Sequence, residues 1–160
     1  MARFVYRLQK VFEIRERKKK EHEQRVADAQ QRVREIETAI EEKQNEIRMV
    51  RKNMMSSHHM LMLAHDEYVH HETQKLEELY KALDFARQQL EHERQLLIQA
   101  QAELEALVKH KEKALEEWKE EEKRLEMKIL DEVAGQRYFR QQSQAEESEY
   151  HSEWDTSPYP

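Results

Sequence analysis

Residues 26–54 read VADAQQRVREIETAIEEKQNEIRMVRKNM. Slots spaced alternately by three and four fall on Val26, Ala29, Val33, Ile36, Ile40, Lys43, Ile47, Val50 and Met54. Eight of these nine are apolar, in a chain whose hydrophobic share is 38%. An apolar residue every 3.5 positions is the seam of a left-handed coiled coil, whose a and d side chains face a partner helix. Residues 76–107, LEELYKALDFARQQLEHERQLLIQAQAELEAL, repeat the pattern. There the slots are Leu76, Leu79, Leu83, Ala86, Leu90, Glu93, Leu97, Ala100, Leu104 and Leu107, nine of ten apolar. Between the slots lie Glu, Lys, Arg and Gln, good helix formers that stay solvated.

The two seams are out of phase. Carried forward, the first reaches Leu61 and Tyr68; carried backward, the second reaches Met62 and Val69. A straight helix absorbs such a slip as a stutter, whereas a turn absorbs it without strain. The candidate turn is Ser56-Ser57-His58-His59, extending as far as His65, with Ser56, Ser57 and Asp66 as candidate N-caps. An antiparallel hairpin follows, with arms of roughly 50 residues, or about 80 Å. Its register stays open. One alignment sets Ile47 against Leu79; another sets Leu8 against Leu125 and Arg15 against Trp118.

Composition agrees. No proline precedes Ser157, and Gly135 is the only glycine, so tight turns are scarce. Charged residues make up 39% of the chain, which suits a long helix better than a globular core. There is no cysteine, so disulfides and thiol chemistry are excluded. The longest apolar run, Met60 to Ala64, is far short of the roughly 20 residues that span a bilayer. No stretch near Met1 has the character of a signal peptide.

The net charge of −6 is unevenly spread. Nine Lys or Arg and four Glu lie between Arg3 and Arg25, while residues 141–160 carry four Glu, one Asp and no Lys or Arg. A basic head and an acidic tail favour electrostatic docking. Toward the open end the first seam meets His22, Lys19 and Arg15 before Phe12, Leu8 and Val5. The second meets Lys111, Ala114, Trp118, Glu121 and Leu125. These polar slots predict a looser open end, and Gly135 softens the second helix by about 1 kcal/mol relative to alanine. The expected fold is all-α. Residues 1–140 form a long antiparallel two-helix coiled-coil hairpin that turns near residues 56–65, and residues 141–160 form a disordered acidic tail.

The opening segment, from Phe4-Val5-Tyr6-Arg7-Leu8 through Val11-Phe12 to Arg15-Glu16-Arg17, resembles the start of the flagellar FliJ family. That family often begins Phe-x-x-x-Leu-x-x-Val/Leu-x-x-x-Arg and runs into a Glu/Lys/Arg-rich helix. Leu130-Asp131-Glu132-Val133-Ala134, followed by Gln136-Arg137-Tyr138-Phe139, is similar to its closing segment. The resemblance covers about Phe4 to Arg140. It implies a coiled-coil hairpin resembling the central stalk of rotary ATPases, in the flagellar type III protein export apparatus. The implied partners are the hexameric export ATPase, the large membrane protein of the export gate, and export chaperones. The implied location is the cytoplasm, peripheral to the inner membrane at the flagellar basal body.

On that resemblance, the open end is the candidate ATPase surface: Arg7, Lys10, Arg15, Arg17, Lys18 and Lys19 on one arm, opposite Arg137, Phe139 and Arg140. Solvated charge alone also explains these basic residues. Phe4, Leu8 and Tyr138 are candidate apolar anchors there, or simply helix-end core. Ile40, Ile47, Tyr68, Leu76 and Tyr80 align with the region through which the family contacts the gate. Of these, Ile40, Ile47 and Leu76 are also seam residues, whereas Tyr68 and Tyr80 lie off the seam and suit partner contact.

His58, His59, His65, His70 and His71 cluster beside Met54, Met55, Met60 and Met62, yet no His pair has the i, i+4 spacing of a helical metal site. No metal or cofactor is expected. No phosphate loop, Cys nucleophile or Ser/His/Asp set is present, so no enzyme activity is expected. The Lys18-Lys19-Lys20 run is flanked by Glu16 and Glu21 and lacks interleaved aromatics, which argues against nucleic acid. Direct membrane insertion is not expected, and the hairpin alone is expected to be monomeric. The alternative reading is a structural coiled-coil dimer or scaffold unrelated to export.

Overall fold

The computed structural model describes residues 3–56 and 58–154. It contains two helices, α1 (Gln9–Met54) and α2 (His59–Trp154). Ser57, a candidate N-cap, and the closing residues 155–160 of the acidic tail lie outside the described residues. Contacts divide the chain into two compact units, Arg7–Val108 and Met1–Tyr6 with Lys109–Pro160.

In the unit Arg7–Val108, α1 packs antiparallel against the first half of α2 as a hairpin. Both helices follow from their outer faces. Side chains one turn apart support each other, as in Gln24 to Asp28 at 2.9 Å, Gln31 to Glu35 at 3.2 Å and Lys19 to Glu23 at 3.5 Å. Each such pair adds about 0.2–0.5 kcal/mol. α1 ends with Arg51 and Lys52 in its last turn, where cations offset the helix dipole. The Ser56 hydroxyl and backbone N–H both donate to the Asn53 carbonyl, at 2.9 and 3.2 Å, and so close α1. The His58 carbonyl accepts from the Met62 N–H at 3.0 Å and opens α2. Asp66 therefore lies inside α2 and caps nothing. No described residue has a positive φ.

The seam is where the spacing places it. All nineteen slots named between Val26 and Met54 and between Leu76 and Leu107 are buried or half-buried. Ala29, Val33, Ile40, Leu83 and Leu90 form the core cluster, with Val26, Ile36, Leu76, Leu79 and Ala86 packed against it. Among the described residues no side chain is completely enclosed, as expected where two helices share a core.

Neither register proposed from the sequence is the one adopted. Lys43 pairs with Glu72, the Tyr68 hydroxyl donates to Glu46, and Arg15 pairs with Glu103. Ile47 therefore lies near the turn end of the arm, away from Leu79, and Arg15 is not opposite Trp118. The reason is the length of the turn. Only residues 55–58 join the helices, whereas an alignment of Ile47 with Leu79 needs the wider turn expected to reach His65.

In the other unit, residues 3–6 have no regular secondary structure and meet α2 through Phe4 and Tyr6. The Phe4 ring packs on Trp118 at 5.8 Å between centroids. Tyr6 is buried, and its hydroxyl is 2.8 Å from Nδ1 of His110. The Lys111 ammonium sits 5.8 Å from the centre of the Tyr6 ring, within cation–π range. Val5 is exposed, so the first seam does not continue that far. The second seam fades after Trp118. Glu121 and Leu125 are exposed, a correction to their place as core slots, because no described residue covers that face. α2 runs through Gly135, which has no neighbour within 4 Å of an added Cβ. The acidic segment expected as a disordered tail is carried on α2 as far as Trp154, with side chains 141–151 all exposed.

Candidate partner-binding site

Near the turn, α1 and α2 build one connected polar network. Glu72 occupies a seam position and is only 3% exposed. Its carboxylate accepts from Lys43, and from Lys75 at 3.1 Å. Lys43 also reaches Glu46 at 3.2 Å, and Glu46 accepts from the Tyr68 hydroxyl. Hydrogen bonds from Lys43, then Lys75, hold the Glu72 carboxyl at a pKa of about 2. The Tyr68 hydrogen bond, then that of Lys43, lowers Glu46. The same bond raises Tyr68, and the bond to Glu72 raises Lys43. A single oppositely charged pair in an apolar seam fixes alignment, since any slipped register leaves both charges facing hydrocarbon.

Among the candidate gate residues, Ile40 and Ile47 are buried, and Leu76 is half-buried against the cluster that contains Ile40. Tyr68 and Tyr80 are exposed. Both reach across the hairpin, Tyr68 to Glu46 and Tyr80 to the Gln44 amide, which donates at 2.6 Å. Their hydroxyls are anchored and their rings face outward. A fixed exposed aromatic loses little entropy on contact and suits a partner surface.

Among the candidate ATPase residues, Arg7, Lys10, Arg17 and Lys18 are exposed. Arg15 is half-buried. It donates to the Glu103 carbonyl at 3.3 Å and lies 3.9 Å from the Glu103 carboxylate. Its partner is thus on the middle of α2, not on the closing segment. Lys19 is half-buried beside Glu23. Arg137, Phe139 and Arg140 are exposed on α2 in the other unit, Phe139 at 70%. The Phe139 ring meets Tyr138 edge-on at 6.4 Å. Phe4 packs instead on Trp118, about 30 Å back along the helix at 1.5 Å per residue. Phe4 therefore does not share an anchor cluster with Tyr138 and Phe139.

The sequence reading missed two features. Glu72 went unnoticed between the slots Val69 and Leu76, although its charge opposes that of Lys43. Leu125, Ile129 and Val133 are exposed along one apolar helix face, and Leu130, Tyr138 and Phe139 are exposed elsewhere around the same helix. The signal of that face was the i, i+4, i+8 spacing of Leu125, Ile129 and Val133.

A shallow groove elsewhere on the hairpin is lined by Ala29, Ile36, Ala82 and Ala86 and edged by Phe85. Among the described residues, no group of three or more His, Cys, Asp or Glu is placed to hold a metal ion. No described helix is long and apolar enough to cross a membrane.

No curated protein and no solved structure matches this chain. The family described as flagellar FliJ protein matches residues 4–143, which span both helices and the turn. The chain belongs to the flagellar FliJ family, whose members are coiled-coil components of the flagellar export apparatus.

Proposed function

We propose that this chain is a non-enzymatic coupling rod. It binds the hexameric export ATPase in the manner of a stalk and contacts the export-gate membrane protein beside its turn, with export chaperones as further partners. Its place is then the cytoplasmic side of the inner membrane at the basal body, and the free chain is a monomeric hairpin. The observation that carries this reading is the family match across residues 4–143. Exposed Arg7, Lys10, Arg17 and Lys18 supply cationic contacts for the ATPase, and exposed Arg137, Phe139 and Arg140, with Leu130 and Val133, supply cationic and apolar ones. Arg15 and Lys19 contribute less, because each already has a carboxylate beside it. Tyr68 and Tyr80 are the residues that face the gate protein. Ile40, Ile47 and Leu76 act there only by holding the hairpin together.

We further propose that residues 141–154 work as a separate acidic tail. Side chains 141–151 are all exposed, and the segment lacks the length and alanine content that stabilise an isolated helix, so it frays in the free chain.

The test is ATPase affinity for a variant with Arg7, Lys10, Arg17 and Lys18 changed to Glu. These side chains are exposed, so the fold stays intact by circular dichroism. Affinity should fall, and the loss should shrink in high salt. Unchanged affinity would refute docking through this surface.

A further inference from the structure

We propose that the hairpin tip docks on an anionic phospholipid surface. Residues 47–65 carry Arg48, Arg51, Lys52, three histidines and no Asp or Glu, in a chain whose net charge is −6. Within this cationic stretch the tip exposes apolar side chains. Met55 and Met60 are 88% and 85% exposed, and Met49, Leu61 and Leu63 are exposed too. Their distribution identifies the occupant. Met60, Leu61, Met62, Leu63 and Ala64 are all exposed. At about 100° per residue they circle the first turn of α2 instead of forming a stripe. A helix groove on a protein partner selects one face. A turn that is apolar all round, at the end of a hairpin, is suited to end-on burial in a soft medium.

The backbone adds to the charge. The N-terminus of α2 carries the positive end of its helix dipole at the tip, and no acidic residue lies in its first turn to offset it. The opposite dipole of the α1 C-terminus is offset by Arg51 and Lys52. The nearest carboxylate is Asp66, which shares a groove with Arg51, Met54 and Met55 and leaves Arg48 and Lys52 in excess, while Glu46 is engaged by Lys43 and Tyr68. A second copy of the chain would bring the same positive charge and is disfavoured. Immersion by about 5–10 Å, the depth of an interfacial helix, is enough to cover the ring while the basic side chains reach phosphates. The sequence excluded a membrane span, and interfacial docking needs none. Nor does it need the ATPase or the gate, so a rod that fails to bind the ATPase can still pass this test.

The experiment uses the full chain with phosphatidylglycerol-rich and phosphatidylcholine vesicles at low and high salt. Because the chain has no cysteine, M60C carries an environment-sensitive fluorophore, with K81C on the hairpin flank as control. The expected result is sedimentation with the anionic vesicles alone, weakened by salt, with a blue shift at position 60 and none at 81. Each basic side chain near an anionic surface contributes about fivefold. R51E/K52E should therefore lower partitioning by more than about tenfold, and L61S/L63S should abolish the blue shift with helicity unchanged. Three outcomes would overturn the proposal: no sedimentation with anionic vesicles at low salt; sedimentation without a shift at position 60, as when the basic head binds instead; or a shift caused by an acidic amphipathic peptide or by the chain's own concentration but not by lipid.

Discussion

Replacing Glu72 with Gln should remove one identifiable proton from the unfolding equilibrium. In the folded chain Lys43 and Lys75 hold this carboxyl at a pKa of about 2, against an ordinary value of 4.5. The folded value is the lower one. The ionised group therefore stabilises the hairpin fully above about pH 4.5, and that contribution is lost as pH falls toward 2. Midway, near about pH 3.3, the unfolded carboxyl is almost fully protonated and the folded one almost fully ionised. Unfolding then takes up about 0.9 of a proton at this site. The assay is urea denaturation followed by helicity at closely spaced pH values, for the parent chain and for E72Q. The parent should show a steeper fall in stability with acid, by about that proton, and E72Q should lack it. Carboxyl NMR supplies the direct reading, with the Glu72 side chain titrating well below the exposed glutamates. An ordinary Glu72 midpoint, or identical acid slopes for the two proteins, would refute the seam pairing.

Three other outcomes follow from the packing. Leu83→Ala and Leu90→Ala, each at a buried slot, should cost about 2–4 kcal/mol in denaturant unfolding, whereas Phe85→Ala on the open face should cost far less. His22 lies three heptads before Lys43 and Glu93 three heptads after Glu72, so the register brings these polar slots to one level. His22 Nδ1 and Glu93 Oε2 are buried without a hydrogen-bond partner, so H22L/E93L should stabilise the hairpin by about 1–2 kcal/mol, read as a raised Tm. Gly135→Ala meets open space and should slow amide exchange around it by about 1 kcal/mol, leaving the hairpin between Arg7 and Val108 unchanged.

The period of the apolar residues carried most of the fold. The slip between the Leu61 and Met62 phases located the break, because a coiled-coil seam changes phase cheaply only where a helix ends. Register was not legible from apolar slots alone, since one Leu or Ile packs against another with little preference. It was encoded in the polar exceptions: Lys43 and Glu72 have opposite charge and admit one alignment. Partner surfaces were harder to read. The seam cannot distinguish Ile40, which is core, from a contact residue, and periodicity predicted Leu125 to be buried where no second helix accompanies α2. The exposure of Tyr68 and Tyr80 was legible because aromatics off the seam have no place in a two-helix core.

The most direct test of the coupling-rod account is titration of the intact protein into the export ATPase of its source organism, with turnover and complex mass read together. The account predicts faster turnover and one rod in each ATPase hexamer. No complex and no change in turnover, from low to high salt, would contradict it and leave a coiled-coil scaffold.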